Sequence, residues 1–159
     1  MNTISLTAAT REDLADLHQL ILELAEYERL RDAVVSSAAD LDRVMFGPDA
    51  HVESIVARVD GVVAGFALYF RDYSTFSGKA GLYLEDLYVR PTHRGAGLGR
   101  ALLQRLARIC VERGYGRMRW AVLDWNAPSI AFYERLGARP EADWTCYRLS
   151  GDALGALAD

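Results

Sequence analysis

A glycine-rich segment between an apolar strand and a long amphipathic helix constrains this fold more than any other feature of the sequence. The strand is predicted over Leu82–Val89, and the helix over residues 98–113, where leucine and isoleucine recur at helical spacing. The residues between them include Arg94, Gly95, Ala96, Gly97, Leu98 and Gly99. Glycines let main-chain N–H groups approach a ligand closely, and the start of a helix carries partial positive charge. The segment therefore predicts a strand–loop–helix unit that binds an anionic group.

Two familiar phosphate-binding patterns do not fit this loop. A P-loop requires lysine followed by serine or threonine, and neither follows Gly99. A dinucleotide fingerprint requires a third glycine where Arg100 stands. The pattern R-x-x-G-x-G is met by Arg94, Gly97 and Gly99. A glycine-rich connection without a ligand remains the alternative.

A second motif lies in the predicted short helix over residues 126–136. Asn126 is typical of a helix N-cap, and Pro128 is tolerated in the first turn because no intrahelical N–H bond is lost there. Ser129 and Tyr133 are four residues apart, so they share one face of the helix. By itself, a tyrosine at this spacing is more typical of a core or rim residue than of a catalytic one.

The remaining segments predict a single mixed α/β domain over residues 1–159. Asp60-Gly61 between two β-rich runs predicts a hairpin. The other predicted helices cover residues 11–30 and 37–46. The predicted strands are Ile4–Ala8, His51–Val59, Val62–Phe70, Leu82–Val89, Arg117–Leu123 and Trp144–Leu149. The order is that of a mixed sheet with helices packed on it.

Charge and composition exclude several classes of protein. The net charge is −4, although residues 90–119 contain eight arginines and a single acid, Glu112. A nucleic-acid-binding domain is usually basic overall, so this local excess favours a compact anionic ligand, with a solvated helix face as the alternative. We expect no membrane span and no secretory signal. Cys110 and Cys146 match no metal-ligand spacing, so we expect free thiols and a cytoplasmic location.

The chain resembles the GNAT (Gcn5-related N-acetyltransferase) superfamily, and in particular its diamine branch, which acts on spermidine, spermine or thialysine. Four segments carry the resemblance: residues 24–28 (LAEYE), 83–86 (YLED), 94–99 (RGAGLG) and 125–133 (WNAPSIAFY). The last two are specific to the superfamily, and the first two to the branch. The resemblance implies a central, mostly antiparallel mixed sheet of about six to seven strands, flanked by helices.

The resemblance also implies a role for each matching residue. Tyr133 would face the sulfur as general acid, and Glu85 would help to deprotonate the amine and contact it. Tyr27 and Glu28 would line the amine site. The residues that would contact acetyl-CoA are Leu87, Tyr88, Val89, Arg94, Gly95, Ala96, Gly97, Leu98, Gly99, Arg100, Asn126 and Ser129. No metal is implied, and the branch forms homodimers.

The predicted activity is acetyl transfer from acetyl-CoA directly to the primary amine of a small molecule. The sequence departs from the branch at Ala142, where the family has an acid two residues before the tryptophan of the last strand, here Trp144. A shorter diamine or a lysine-like amino acid is therefore as well supported as a long polyamine. Two alternatives are transfer to a protein or peptide and a non-catalytic acyl-CoA-binding module.

Overall fold

The computed structural model describes residues 2–158 and divides the chain into two compact units, Met1–Ala121 and Val122–Asp159. The elements of the first unit are β1 (Ile4–Ala8), α1 (Leu14–Tyr27), α2 (Ala38–Phe46), β2 (Val52–Val59), β3 (Val62–Ser74), β4 (Lys79–Val89), α3 (Leu98–Glu112) and β5 (Met118–Arg119). The second unit contains α4 (Ala127–Arg135) and α5 (Gly151–Ala158).

The strands of the first unit form one mixed sheet in the order β1-β2-β3-β4-β5. The pairings from β1 to β4 are antiparallel, and β5 lies parallel to β4. The predicted hairpin between β2 and β3 is present: Asp60 and Gly61 have φ angles of 50° and 82°. Two consecutive positive φ angles are the signature of a tight turn whose twist matches the strands. The predicted mixed, mostly antiparallel sheet is confirmed.

Helices cover both faces of this sheet. Along β2, four consecutive residues from Ser54 to Ala57 are buried, which requires cover on both sides. The face that presents Val56 and Phe66 packs against α1, which contributes Leu17 and Leu20 to the same cluster, and against α2, which contributes Met45. Helix α3 contacts β2, β3 and β4 and covers the opposite face. β4 thus lies between two layers of helices.

The structure corrects the predicted strands in three places. The sheet has five strands within residues 2–158, against the expected six to seven. The strand predicted over Arg117–Leu123 shortens to Met118–Arg119, and Trp144–Leu149 forms no strand. Both segments have β-prone sequences, but a strand also needs a partner ladder, and none pairs with residues 120–123 or 144–149 in the described part of the chain.

Other boundaries also moved. β3 continues past Phe70 to Ser74, and β4 begins at Lys79, because polar residues of the expected loop pair across the two strands. The first helix is shorter than residues 11–30: it follows a 3₁₀ turn and ends at Tyr27. Helix α5 was not predicted from the sequence.

Candidate functional site

An irregularity in β4 sets the position of Glu85. On one side Asp86 pairs with Leu68, and on the other Leu84 pairs with Tyr69, so Glu85 has no opposite residue on β3. This extra residue makes a β-bulge, which locally disrupts the ladder and re-aims side chains. Glu85 is exposed, whereas Leu84 beside it is only 2% exposed. The bulge therefore presents an exposed carboxylate directly beside a buried residue of the strand.

Three carboxyl groups come together around this bulge. Glu28 follows the end of α1, and the charges of Glu28 and Glu85 both act on Asp86. Burial is the main reason why the pKa of Asp86 rises to about 7, and the two neighbouring carboxylates raise it further. Burial also raises the pKa of Glu28. A group that titrates near neutral pH inside an acidic, half-buried site is suited to moving a proton from a cation.

The predicted anion loop, residues 94–100, has the backbone conformation that its glycines imply. Gly95 and Gly97 have φ angles of 80° and 82°, a region that favours glycine. Gly97 is the residue from which α3 starts, and Leu98, 1% exposed, anchors the helix in the core. The remaining loop residues, Ala96 and Arg100, are exposed, and Gly99 is half-buried. The free N–H groups at the start of a 15-residue helix are thus open to an anion.

The segment Leu87–Val89 is paired on one side by β3, opposite Ala67, Phe66 and Gly65. On the other side, β5 pairs with β4 only at Leu82 and Tyr83, and no other strand of residues 2–158 joins that edge. The Tyr88 side chain is buried in the core cluster, so what this residue offers a ligand is its main chain. An extended ligand with amide groups can add to such an edge as a strand does.

Arg94 links the loop to the acidic site. Its guanidinium carbon lies 5.0 Å from the centre of the Tyr27 ring and 5.5 Å from that of Tyr88. Its Nε donates a hydrogen bond of 2.8 Å to the carbonyl oxygen of Val89. Tyr27 directly precedes Glu28, which forms a carboxyl cluster with Glu85 and Asp86. The anion loop and this carboxyl cluster therefore meet at Tyr27. The structure therefore brings together the predicted residues of the first unit.

The other predicted residues lie in the second unit. Asn126 caps α4 as expected, its side-chain oxygen accepting a hydrogen bond of 3.3 Å from the Ser129 N–H. Tyr133 stands one turn after Ser129 on this helix, with the Phe132 ring centre 5.5 Å from its own. The geometry of α4 confirms the predicted N-cap and the shared face of Ser129 and Tyr133.

Comparison with known proteins identifies the family. A family model described as acetyltransferase (GNAT) family matches residues 14–138. The chain belongs to the GNAT acetyltransferase family. The thialysine N-epsilon-acetyltransferase of Bos taurus is 36% identical over 99% of each chain. An L-ornithine N5-acetyltransferase of Arabidopsis thaliana is 43% identical over 74% of this chain and 49% of its own length.

A solved structure shares the fold. An aminoglycoside N-acetyltransferase, AAC(6')-Iy, in complex with CoA superposes with a TM-score of 0.75 at 21% identity, covering 94% of this chain and 96% of its own. The GNAT fold predicted from the sequence is thereby confirmed, as is its class as an acetyltransferase. The predicted roles of individual residues stay predictions.

The sequence did not assign two features of the site. The sequence assigned no role to Asp86, and its one signal was its place beside Glu85 in the segment 83–86. No pattern in the sequence predicted the contact of Arg94 with Tyr27, since the two residues are distant along the chain. Among residues 2–158, no group of three or more metal-ligating side chains is placed to hold a metal ion. No helix in that range is long and apolar enough to cross a membrane.

Proposed function

We propose that the protein transfers an acetyl group from acetyl-CoA to the primary amine of a small cationic molecule. The observation that carries this proposal is the meeting of the anion loop and the carboxyl cluster at Tyr27, with Arg94 in contact with its ring. One side of this junction suits the pyrophosphate of the coenzyme, and the other suits an ammonium group. Membership in an acetyltransferase family and relatives named for amine substrates support the same reaction.

The residues of the loop and of β4 would hold the coenzyme. Main-chain N–H groups of residues 95–100 would face the pyrophosphate at the start of α3, and Arg94 and Arg100 would add positive charge. The open edge of Leu87–Val89 would pair with the pantetheine arm. By resemblance, Asn126 and Ser129 would contact the coenzyme as well. When bound, acetyl-CoA supplies an activated acetyl thioester.

The amine must lose a proton before it can attack. An alkyl amine with a pKa near 10.4 is neutral in about one molecule in a thousand at pH 7.4. Glu85, presented by the bulge, would remove that proton, with Asp86 and Glu28 favouring the cationic substrate as it enters. Tyr133 would donate a proton to the leaving thiolate. Transfer is direct, so no residue forms a covalent intermediate; Cys110 is buried and burial raises its thiol pKa.

The site favours a short substrate. Three carboxyl groups suit a small cation, whereas the position that carries an acid in polyamine-binding relatives is Ala142 here. A diamine or a lysine-like amino acid therefore fits this site better than a long polyamine. The relatives act, by their names, on thialysine and on L-ornithine, two amino acids with a side-chain amine.

We also propose the organisation of the whole protein. The family model runs from residue 14 to 138 across the boundary of the two units, which supports one domain over residues 1–159. A homodimer is proposed from the resemblance. A cytoplasmic location suits the two thiols, Cys110 and Cys146, both of which are free. No nucleic-acid or membrane partner is proposed.

The test is thiol release from acetyl-CoA with a panel of acceptors: putrescine, spermidine, spermine, thialysine, lysine, ornithine, diaminobutyrate and a lysine-containing peptide. We expect saturable release with at least one small amine and kcat/KM at least about tenfold lower for spermine than for the best short acceptor. Release with the peptide alone would favour the protein-directed alternative. Acetyl-CoA binding without release from any acceptor would favour the non-catalytic module.

A further inference from the structure

Arg94 engages three groups at once, and two of them, Tyr27 and Val89, belong to different substrate subsites of the proposed site. Its guanidinium lies over the rings of Tyr27 and Tyr88, 5.0 Å and 5.5 Å from their centres. Its Nε donates to the Val89 carbonyl oxygen at 2.8 Å. Tyr27 lines the proposed amine site, and Val89 belongs to the edge proposed for pantetheine. Arg94, a residue of the anion loop, therefore contacts both the proposed amine site and the edge proposed for pantetheine.

The face of an aromatic ring is a binding surface for cations. A guanidinium or an ammonium within about 6 Å of the ring centre is attracted by the ring's quadrupole. The guanidinium of Arg94 is already at that distance from Tyr27. An amine substrate drawn to Tyr27 would have to share the ring with a second positive charge, which repels it.

We propose that Arg94 competes with the amine substrate for the ring of Tyr27, and that pyrophosphate binding at the loop relieves this competition. The inference rests on the proposed function. Arginine–phosphate hydrogen bonds are charge-assisted and bidentate, and they are stronger than an exposed cation–π contact. The pyrophosphate therefore draws Arg94 from Tyr27 and, at the same time, from the Val89 carbonyl that would pair with pantetheine.

The consequence is positive coupling between the two substrates. The coenzyme raises the affinity for the amine, and the amine must raise the affinity for the coenzyme by the same factor. The coupling needs no long-range pathway, because one side chain contacts both subsites. It also predicts an unusual sign: removing Arg94 should strengthen binding of the amine to the coenzyme-free protein.

The experiment measures the Kd of thialysine by calorimetry, with and without saturating desulfo-CoA, which cannot carry an acetyl group. For the wild type, we expect desulfo-CoA to lower this Kd at least fivefold, about 1 kcal/mol of coupling. Without coenzyme, Arg94→Gln should bind thialysine at least fivefold more tightly than the wild type does. The factor by which desulfo-CoA lowers the Kd of this variant should fall towards one. The matched control is Arg108→Gln, an exposed arginine of α3 outside the proposed site, which should keep the wild-type Kd and the wild-type coupling.

A double-mutant cycle isolates the ring contact. In a Tyr27→Leu background, Arg94→Gln should no longer change the coenzyme-free Kd, because the contested ring is gone. If Arg94→Gln binds thialysine without coenzyme as tightly as the wild type, or more weakly, the inference is overturned. Arg94 would then be a residue that supports Tyr27. That outcome is distinguishable from failure of the proposed function, in which the wild type would acetylate no amine of the panel.

Discussion

Asp86 carries the most perturbed carboxyl group of the proposed site. It lies opposite the buried Leu68 on β3, and its pKa rises to about 7 through burial first and through Glu85 and Glu28 second. The folded protein therefore binds this proton more tightly than the unfolded chain does. It follows that the stability of the fold falls as the pH rises from about 4 to about 7, and that this cost is complete above pH 7.

The variant Asp86→Asn should remove this pH dependence, because the amide does not ionise. We expect the difference in unfolding free energy between the variant and the wild type to shift in favour of the variant by about 2 kcal/mol between pH 5 and pH 8. Urea unfolding at the two pH values measures it. Glu26→Gln, on an exposed carboxylate of α1, is the control and should show no such shift. A pH-independent difference for Asp86→Asn would mean that the carboxyl is ionised throughout.

Tyr133 is the proposed general acid, and its hydroxyl can be removed with little change in the shape of the side chain. Tyr133→Phe should lower kcat by at least about tenfold, since a positioned acid typically contributes about 10²–10⁴-fold. The Kd of acetyl-CoA should change less than about twofold. Steady-state kinetics and calorimetry measure the two quantities. Tyr147→Phe, an exposed tyrosine in the same unit, is the control, and a similar kcat for both variants would remove Tyr133 from this role.

At the scale of elements, the site depends on where β4 and β5 part. The two strands pair only at Leu82 and Tyr83, and an ion pair of 3.1 Å between Arg117 and Asp72 lies at this end of β5. Both side chains pack against Gly81, which has no side chain of its own. The parting of the strands leaves Leu87–Val89 open at one edge.

Gly81→Ala tests this arrangement, because its Cβ would lie 2.9 Å from the Arg117 Cγ and closer still to the Asp72 carboxylate. Overpacking of this kind costs about 1–3 kcal/mol, so we expect the free energy of unfolding to fall by that amount. Urea unfolding gives the measurement. Gly155→Ala is the control, since a Cβ there has open space and alanine favours a helix. Equal stability of Gly81→Ala and the wild type would show that Arg117 and Asp72 move away from the added Cβ without a cost in stability.

At the scale of the whole molecule, the arginine-rich segment serves structure more than its composition indicates. At least four of its eight arginines form ion pairs with acids: Arg90 with Glu23, Arg105 with Glu112, Arg113 with Glu53 and Arg117 with Asp72. The partners Glu23, Glu53 and Asp72 lie on α1, β2 and β3, so these pairs join α3 and its flanking loops to the rest of the first unit. Arg94 and Arg100, both exposed, are the arginines of the segment that lie in the proposed anion loop. A local excess of charge in a sequence is thus not by itself a binding surface.

The sequence by itself determined the local features of this protein. Glycines at positions 95 and 97 impose left-handed backbone at the loop, Asp60-Gly61 forms the predicted hairpin turn, and Asn126 caps α4, because each depends on the chemistry of a few adjacent residues. The motifs at residues 94–99 and 125–133 also determined the family.

Tertiary structure alone decided the features that depend on partners distant along the chain. The bulge at Glu85 exists because β3 pairs with β4 in two registers, and the strand expected over residues 117–123 is short because β4 pairs with it at two positions only. The pKa of Asp86 depends on burial and on Glu28, 58 positions earlier in the sequence. The contact of Arg94 with Tyr27 arises in the same way. A strand ladder, a desolvated carboxyl and a ring contact each need a second chain segment, and only the fold brings that segment near.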